Sequence, residues 1–314
     1  MEPIFFKPLY KNVIWGGDNI SKLFNRNIIG DDIGESWELS AHPSGISEIE
    51  NSNLEEKNLL ELFNNKKLRK DIFGRLCVDM EKFPILIKFI DAQNNLSIQV
   101  HPNDEYARIH ENDSGKTEVW YILECKEDAK IVYGFKDSVT PETLLEAINN
   151  IEENVNYVSV HKGDFISIPC GTIHAIMSGI VLLEIQQSSD VTYRVYDWNR
   201  LDKNGNPRAL HLKQSLDVIN LSNNNKICNY ENFNKNLNIY KSKYFNIDMI
   251  NIEGEINAKS NEDSFYAYVV IDGNGYVKTS NYSKTIEKGT TFLIPANLGD
   301  FSLIGNMKLM KIWI

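Results

Sequence analysis

From Leu96 to His101 the chain reads LSIQVH, and this alternation limits the possible folds more than any other stretch. Leu96, Ile98 and Val100 fall on one side and Ser97, Gln99 and His101 on the other, which is the period of a β-strand. The apolar side of such a strand faces a core. The stripe of hydroxyl, amide and imidazole must therefore face water or a polar cavity. A Pro-Asn-Asp turn and a short helical stretch follow. Lys116 and Glu118 then open a second run of the same period, which ends in the apolar Val119–Leu123. They too share a side.

Gln99, His101 and Glu118 are all plausible metal ligands, and two residues apart on a strand lets two side chains reach one ion. A fourth ligand is expected from Gly163–His174, GDFISIPCGTIH. Glycines allow turns at both ends of a five-residue strand there, and Pro169 closes the strand where no ladder donor is needed. His174 then stands at the start of the next strand, where its ring can point inward. The frame recurs: KGTTFLIP at 288–295 repeats the Gly, five residues, Pro spacing of KGDFISIP at 162–169. No histidine follows the second copy, and residues 222–314 contain none. Many short strands separated by turns, with one duplicated frame, predict two β-barrels of one type, the second without a metal.

The 314 residues suffice for two domains, and the net charge of −10 argues against nucleic acid or an acidic membrane surface as partner. Cys77, Cys125, Cys170 and Cys228 are far apart, without paired metal spacing. With no signal-peptide core in MEPIFFKPLYKN and no run of membrane-spanning length, a cytoplasmic protein is expected.

Along the chain, GESWELSAH at 34–42 reads as a strand, and Asn53–Lys67 carries Leu59, Leu60 and Phe63 at helical spacing. PILIKFID at 84–91 is a nearly all-apolar strand interrupted by Lys88. A buried ammonium is costly without an anion, so Lys88 either reaches the surface or serves something negative inside. Residues 119–136 give two strands around a turn at Cys125–Ala129. A helix is expected from Thr140-Pro141 to about Ile151, and another over 210–219. Residues 181–198 read as a strand on which Asp190, Thr192 and Arg194 share a side. The asparagine-rich Ser222–Asn236 places a boundary between domains 1–221 and 222–314. A hairpin is expected at Asp272–Gly275.

The stretches GESWELSAH, LSIQVHPNDEYA, GKTEVWYIL, GTIHAI and EIQQSSDVTYRVYDWNR together resemble type I mannose-6-phosphate isomerases in their short bacterial form, within the cupin superfamily. The likeness covers most of residues 1–220. Gln99 stands where the general cupin motif has its first histidine, a replacement that the isomerases share. The resemblance implies a mainly β fold of two cupin-type barrels (jelly rolls) with a few short helices. It implies one zinc ion per chain on Gln99, His101, Glu118 and His174. Arg194 is then catalytic, with Asp190 beside it and Lys116 as a further active-site cation, while Lys88, Ser97 and Arg200 contact the substrate phosphate.

The residues themselves agree on charge. An acidic protein that gathers Lys88, Lys116, Arg194 and a dication around one cavity makes a trap for an anion such as a phosphosugar. Exchange of aldose and ketose needs a base and a holder for the developing oxyanion, and zinc with Arg194 can do the second. Asp190, a metal-bound water or Lys116 could serve as base. Two other readings have to be weighed: a differently specific metal-dependent cupin enzyme, which Gln99 disfavours, and a non-catalytic sugar-binding protein, which would be expected to have lost a ligand. A homo-oligomer is compatible with all three.

Overall fold

The computed structural model describes residues 1–28, 30, 32–50, 54–202, 204–222 and 226–314. The chain is mainly β and divides into two compact units. One comprises Tyr10–Ser36 and Ile87–Glu231; the other comprises Met1–Leu9, Trp37–Leu86 and Asn232–Ile314.

The first unit is built on two sheets, of which the smaller is antiparallel throughout. One has five strands, in the order Val155–Ser159, Lys130–Phe135, His174–Ile176, Ile98–Val100, Tyr193–Tyr196. The other has seven, in the order Ile227–Asn229, Asp164–Ile168, Glu118–Cys125, Ile180–Gln187, Ile85–Ala92, Ile33–Leu39, Leu9–Gly17. Because side chains alternate across a strand, each sheet has two faces. Ile131, Tyr133 and Ile176 of the first sheet join Ile90, Trp120, Ile122, Ile166, Ile168 and Leu182 of the second in one buried core. The opposite face of the five-stranded sheet carries Ile98, Val100, Val132, Ala175, Tyr193 and Val195. Residues of the short helices Leu144–Asn149 and Ile151–Asn154 cover it. Two packed sheets joined this way form the jelly-roll arrangement of a cupin.

The second unit has an eight-stranded antiparallel sheet whose longest strands are Asn246–Lys259, Tyr266–Lys278 and Asp300–Trp313. Gly254, Gly305 and Gly275 lie directly opposite one another across these three strands. A Cβ on Gly275 would stand 2.1 Å from the Ile304 carbonyl oxygen, so the row lets the backbones approach closely. Phe5, Tyr268, Phe292, Phe301 and Leu309 pack its core.

Strands expected at 34–42, 84–91 and around Cys125–Ala129 form, as do those of both Gly-to-Pro frames. Other expectations differ. Asp272–Gly275 is no hairpin: one strand runs through Tyr266–Lys278, and a register shift between Val270 and Asp272 leaves Ile271 as an extra residue, with Gly273 at a φ of 76°. The helix expected from Thr140 begins at Leu144, because Thr140 and Thr143 bond to each other in a preceding turn. The helix expected over Asn53–Lys67 becomes two, Leu59–Asn64 and Lys66–Phe73. Asn65, in extended conformation, closes the first and caps the second by accepting the Lys67 N–H. Its expected start at Asn53 lies outside the described residues, as do Asn223–Asn225 of the asparagine-rich stretch. The compact units divide near this stretch, between Glu231 and Asn232, and the second also draws on residues 1–9 and 37–86.

Candidate active site

The site grows from two rungs of side chains on the inner faces of the first unit's sheets. In the five-stranded sheet Arg194 pairs with Gln99, Gln99 with His174 and His174 with Tyr133, so all four point to one side. In the seven-stranded sheet Glu118 pairs with Ile168 and Gln186, and Trp120 with Ile166 and Glu184. One ligand atom each from His101, Glu118 and His174 lies within 4.8 Å of the others, and all three residues are buried. The Gln99 amide reaches the same place, with Nε2 3.3 Å from His174 Nε2, and Ser97 Oγ donates to Gln99 Oε1 at 3.4 Å.

The hydrogen bonds of the two imidazoles fix what they can bind. His101 Nδ1 lies 2.9 Å from the Val191 carbonyl oxygen, and His174 Nδ1 lies 2.8 Å from that of Thr172. A carbonyl oxygen can only accept, so both rings carry their proton on Nδ1 and offer a bare Nε2 to the cluster. Burial lowers both rings' proton affinity, and the Lys116 charge adds to this at His101, whose pKa falls to about 3. At neutral pH both are neutral. The two Nε2 atoms lie 3.4 Å from opposite oxygens of Glu118. Glu118 Oε2 is buried and has no aligned hydrogen-bond partner among the described residues. Two neutral imidazoles fixed by carbonyls, with a carboxylate oxygen left over, fit a divalent cation.

A buried charge network lies beside these ligands. Lys116 Nζ is 2.9 Å from Glu118 Oε2, 3.2 Å from His101 Nε2 and 3.8 Å from Glu184 Oε1. Lys88 Nζ is 3.0 Å from Glu184 Oε1 and 3.5 Å from Glu35 Oε2. Trp120 Nε1 donates to both Glu118 and Glu184, at 3.1 Å each. Burial pushes the Glu118 carboxyl up, but the Lys116 charge outweighs it and holds the group ionised. At Glu184 burial and the Glu118 charge together exceed the pull of Lys88 and Lys116, so its proton affinity rises. Burial pulls the Lys88 ammonium down, and Glu184 and Glu35 more than restore it. Lys88 thus meets the internal anions that its place in an apolar strand required.

Of the sequence candidates, Gln99, His101, Lys116, Glu118 and His174 come together, with Lys88 and Ser97 next to them. Arg194 is on the same face as Gln99. Its Nη1 donates to the Ala209 carbonyl oxygen at 2.9 Å, and its buried Nε has no hydrogen-bond acceptor among the described residues. Arg200 donates to Asp197 Oδ1 at 2.6 Å, and Arg208 Nε donates to Asp197 Oδ2 at 2.7 Å. Asp190 is exposed, on a stretch between the strands Ile180–Gln187 and Tyr193–Tyr196 that is not itself a strand. The shared side that parity gave it with Arg194 does not arise. Glu184, Glu35, Asp197 and Arg208 were not singled out from the sequence. Glu184 could have been, since a lone carboxylate in VLLEI raises the same question as Lys88 in PILIKFI.

Residues 4–127 match the family model described as phosphomannose isomerase type I, catalytic domain, and residues 235–314 match that of mannose-6-phosphate isomerase, cupin domain. The mannose-6-phosphate isomerase ManA of Bacillus subtilis (strain 168) is 40% identical over 311 residues, which is 97% of this chain and 96% of that protein. The mannose-6-phosphate isomerase of Streptococcus mutans is 34% identical over 318 residues, 98% and 97% of the two chains. A crystal structure of the mannose 6-phosphate isomerase from Bacillus subtilis covers all of both chains at 34% identity with a TM-score of 0.89.

Proposed function

The chain belongs to the type I phosphomannose isomerase family, and on that premise we propose that the cluster around Glu118 interconverts mannose 6-phosphate and fructose 6-phosphate. The protein is an aldose–ketose isomerase. The observation that carries the assignment to this site is the convergence of two bare Nε2 atoms, an ionised carboxylate and two buried lysines on one inner face.

His101, Glu118 and His174, with Gln99 as a weaker fourth donor, would hold one zinc ion per chain. When bound, the ion supplies a fixed positive charge against negative charge developing on the substrate's O1 and O2. Arg194 adds a second, through the buried Nε that has no acceptor among the described residues. The reaction moves a proton between C2 and C1. Lys116 is a buried basic group at the cluster, 3.8 Å from Glu184 Oε1. Lys116 Nζ, as general base, takes the C2 proton as the enediol-type intermediate forms and returns it to C1, while the proton of the O2 hydroxyl passes to O1. Exposed Asp190 has no part in this scheme.

The substrate phosphate belongs with Arg200 and Arg208. Among the described residues these two guanidinium groups share Asp197 as their ion-pair partner, whereas the charge of Lys88 is already matched by Glu184 and Glu35. Ser97 supports the Gln99 amide. We place the enzyme in the cytoplasm: all four cysteines are free, and no helix among the described residues is long and apolar enough to cross a membrane.

The test is the isomerisation itself, run with mannose 6-phosphate deuterated at C2 and followed by coupled detection of fructose 6-phosphate. Turnover with part of the deuterium retained at C1 is expected, since a protein-borne base returns some of the label it removes. Absence of turnover by the zinc-loaded protein refutes the assignment.

A further inference from the structure

The segment from Ala209 to His211 holds Arg194 at three points. The His211 N–H donates to the Arg194 carbonyl oxygen at 2.8 Å, the Arg194 N–H donates to His211 Nδ1 at 3.2 Å, and Arg194 Nη1 donates to the Ala209 carbonyl oxygen at 2.9 Å. A side chain occupies a position that a neighbouring strand would fill with a backbone carbonyl. His211 is itself held: its carbonyl oxygen accepts from the Ser215 N–H at 2.9 Å and from Ser215 Oγ at 2.8 Å, at the first turn of the helix Leu212–Val218. Past that helix the Asn220 N–H donates to the Gly171 carbonyl oxygen, and the Gly171 N–H donates to that of His101. One bracket therefore ties the backbone of Arg194 to the loop that carries His174 and to a metal-ligand strand end.

We propose that His211 is a positioning residue for Arg194, accepting its backbone N–H through an unprotonated Nδ1 so that the guanidinium is aimed along the rung it shares with Gln99. This rests on the reading of Arg194 as the group that holds the developing oxyanion. A backbone N–H can only donate, so the bond requires a bare Nδ1. Burial and then the Arg194 charge lower the proton affinity of the ring, against a smaller pull from Glu111, and keep it neutral at physiological pH. The Tyr193 ring, centred 6.1 Å away, packs beside it. Tyr193 OH donates to Glu111 at 2.8 Å, which keeps that carboxylate occupied.

Four variants test this: His211→Asn, His211→Gln, His211→Ala and Arg194→Ala, each compared with the unchanged enzyme for kcat, KM, bound zinc and Tm. Asparagine puts its Oδ1 near the position of Nδ1, and glutamine carries its oxygen one bond farther on. We expect Asn to keep most of kcat, and Gln and Ala to lower it roughly 10- to 100-fold, the scale of an ångström-size misplacement, with zinc content retained. Equal kcat for Asn and Gln, or losses that simply follow Tm, overturns the role of His211. Full turnover by Arg194→Ala overturns instead the reading of Arg194 on which it rests. The two failures are thereby told apart.

Discussion

Lys88→Met removes the charge but keeps most of the stem, and leaves Glu184 and Glu35 facing each other across a buried gap. At 3.0 and 3.5 Å, and with an effective dielectric constant of about 20, the two ion pairs are each worth about 5 kcal/mol of gross Coulomb energy. Dehydrating the ammonium offsets several kcal/mol of that, so breaking the network should cost about 3–5 kcal/mol at pH 7. Proton linkage gives the loss a pH dependence. Burial and Glu118 already raise the proton affinity of Glu184, and without Lys88 it rises further above that of the unfolded chain. Destabilisation from such a group is present above its folded-state pKa and fades as pH falls through it, because the carboxyl then binds a proton and its charge disappears. Urea unfolding of both proteins, with chelator present so that metal binding does not mask the change, should show a gap that narrows from pH 7 to pH 5. A gap below about 1 kcal/mol, or one that does not change with pH, would mean that Lys88 is not the counter-charge of this network.

His174→Ala should reduce bound zinc to background by elemental analysis and abolish turnover; stoichiometric zinc with full activity would remove His174 from the site. Gly273→Ala puts a Cβ 2.1 Å from the Asn306 carbonyl oxygen at a φ of 76°. It should cost about 2–4 kcal/mol of unfolding free energy, and a change within 0.5 kcal/mol would refute the close approach. Burial pushes the Asp197 carboxyl up, but its bonds from Arg208 and Arg200 prevail and hold it below the usual range. It therefore contributes stability present above the ordinary Asp value and lost as pH falls through its lowered one. Asp197→Asn should destabilise at pH 7 and much less in acid, measured by denaturation from pH 7 to pH 3.

The cluster of Gln99 and His101 with Glu118 and His174 was legible because parity is local: on a strand, residues 99 and 101 must face one way whatever the rest of the chain does. The same rule misled at Asp190, where it was applied across Ser188-Ser189-Asp190, a run of turn-forming residues that leaves the strand after Gln187. Asp-Gly-Asn-Gly at 272–275 has the composition of a hairpin turn, yet the strand stays paired with Asp300–Trp313 on both sides of it. Local chemistry allowed a turn or a bulge there, and long-range pairing selected the bulge. The partners of Lys88 were illegible for a related reason. The sequence demanded an anion for it but could not say that Glu184, nearly a hundred residues later, would supply it. The clamp of Arg200 and Arg208 on Asp197 depends likewise on how the loop between them returns.

The duplicated frame separates what builds a barrel from what makes it react. Gly163 and Gly289 both take left-handed backbone, at φ of 84° and 89°. Each donates its N–H to the neighbouring strand, Gly163 to Ile122 at 2.9 Å and Gly289 to Val270 at 2.8 Å. Both prolines accept from the residue three places on, Pro169 from Thr172 and Pro295 from Leu298, at 3.1 Å each. The two copies thus keep the same turn, strand and exit. Five residues after the proline, the first copy has His174, buried, and the second has Asp300, exposed. Glycine and proline fix the path of the backbone in both. The proposed metal site requires in addition a histidine at that exit and polar residues on the facing strands, and at the exit of the second copy the histidine's place is taken by Asp300.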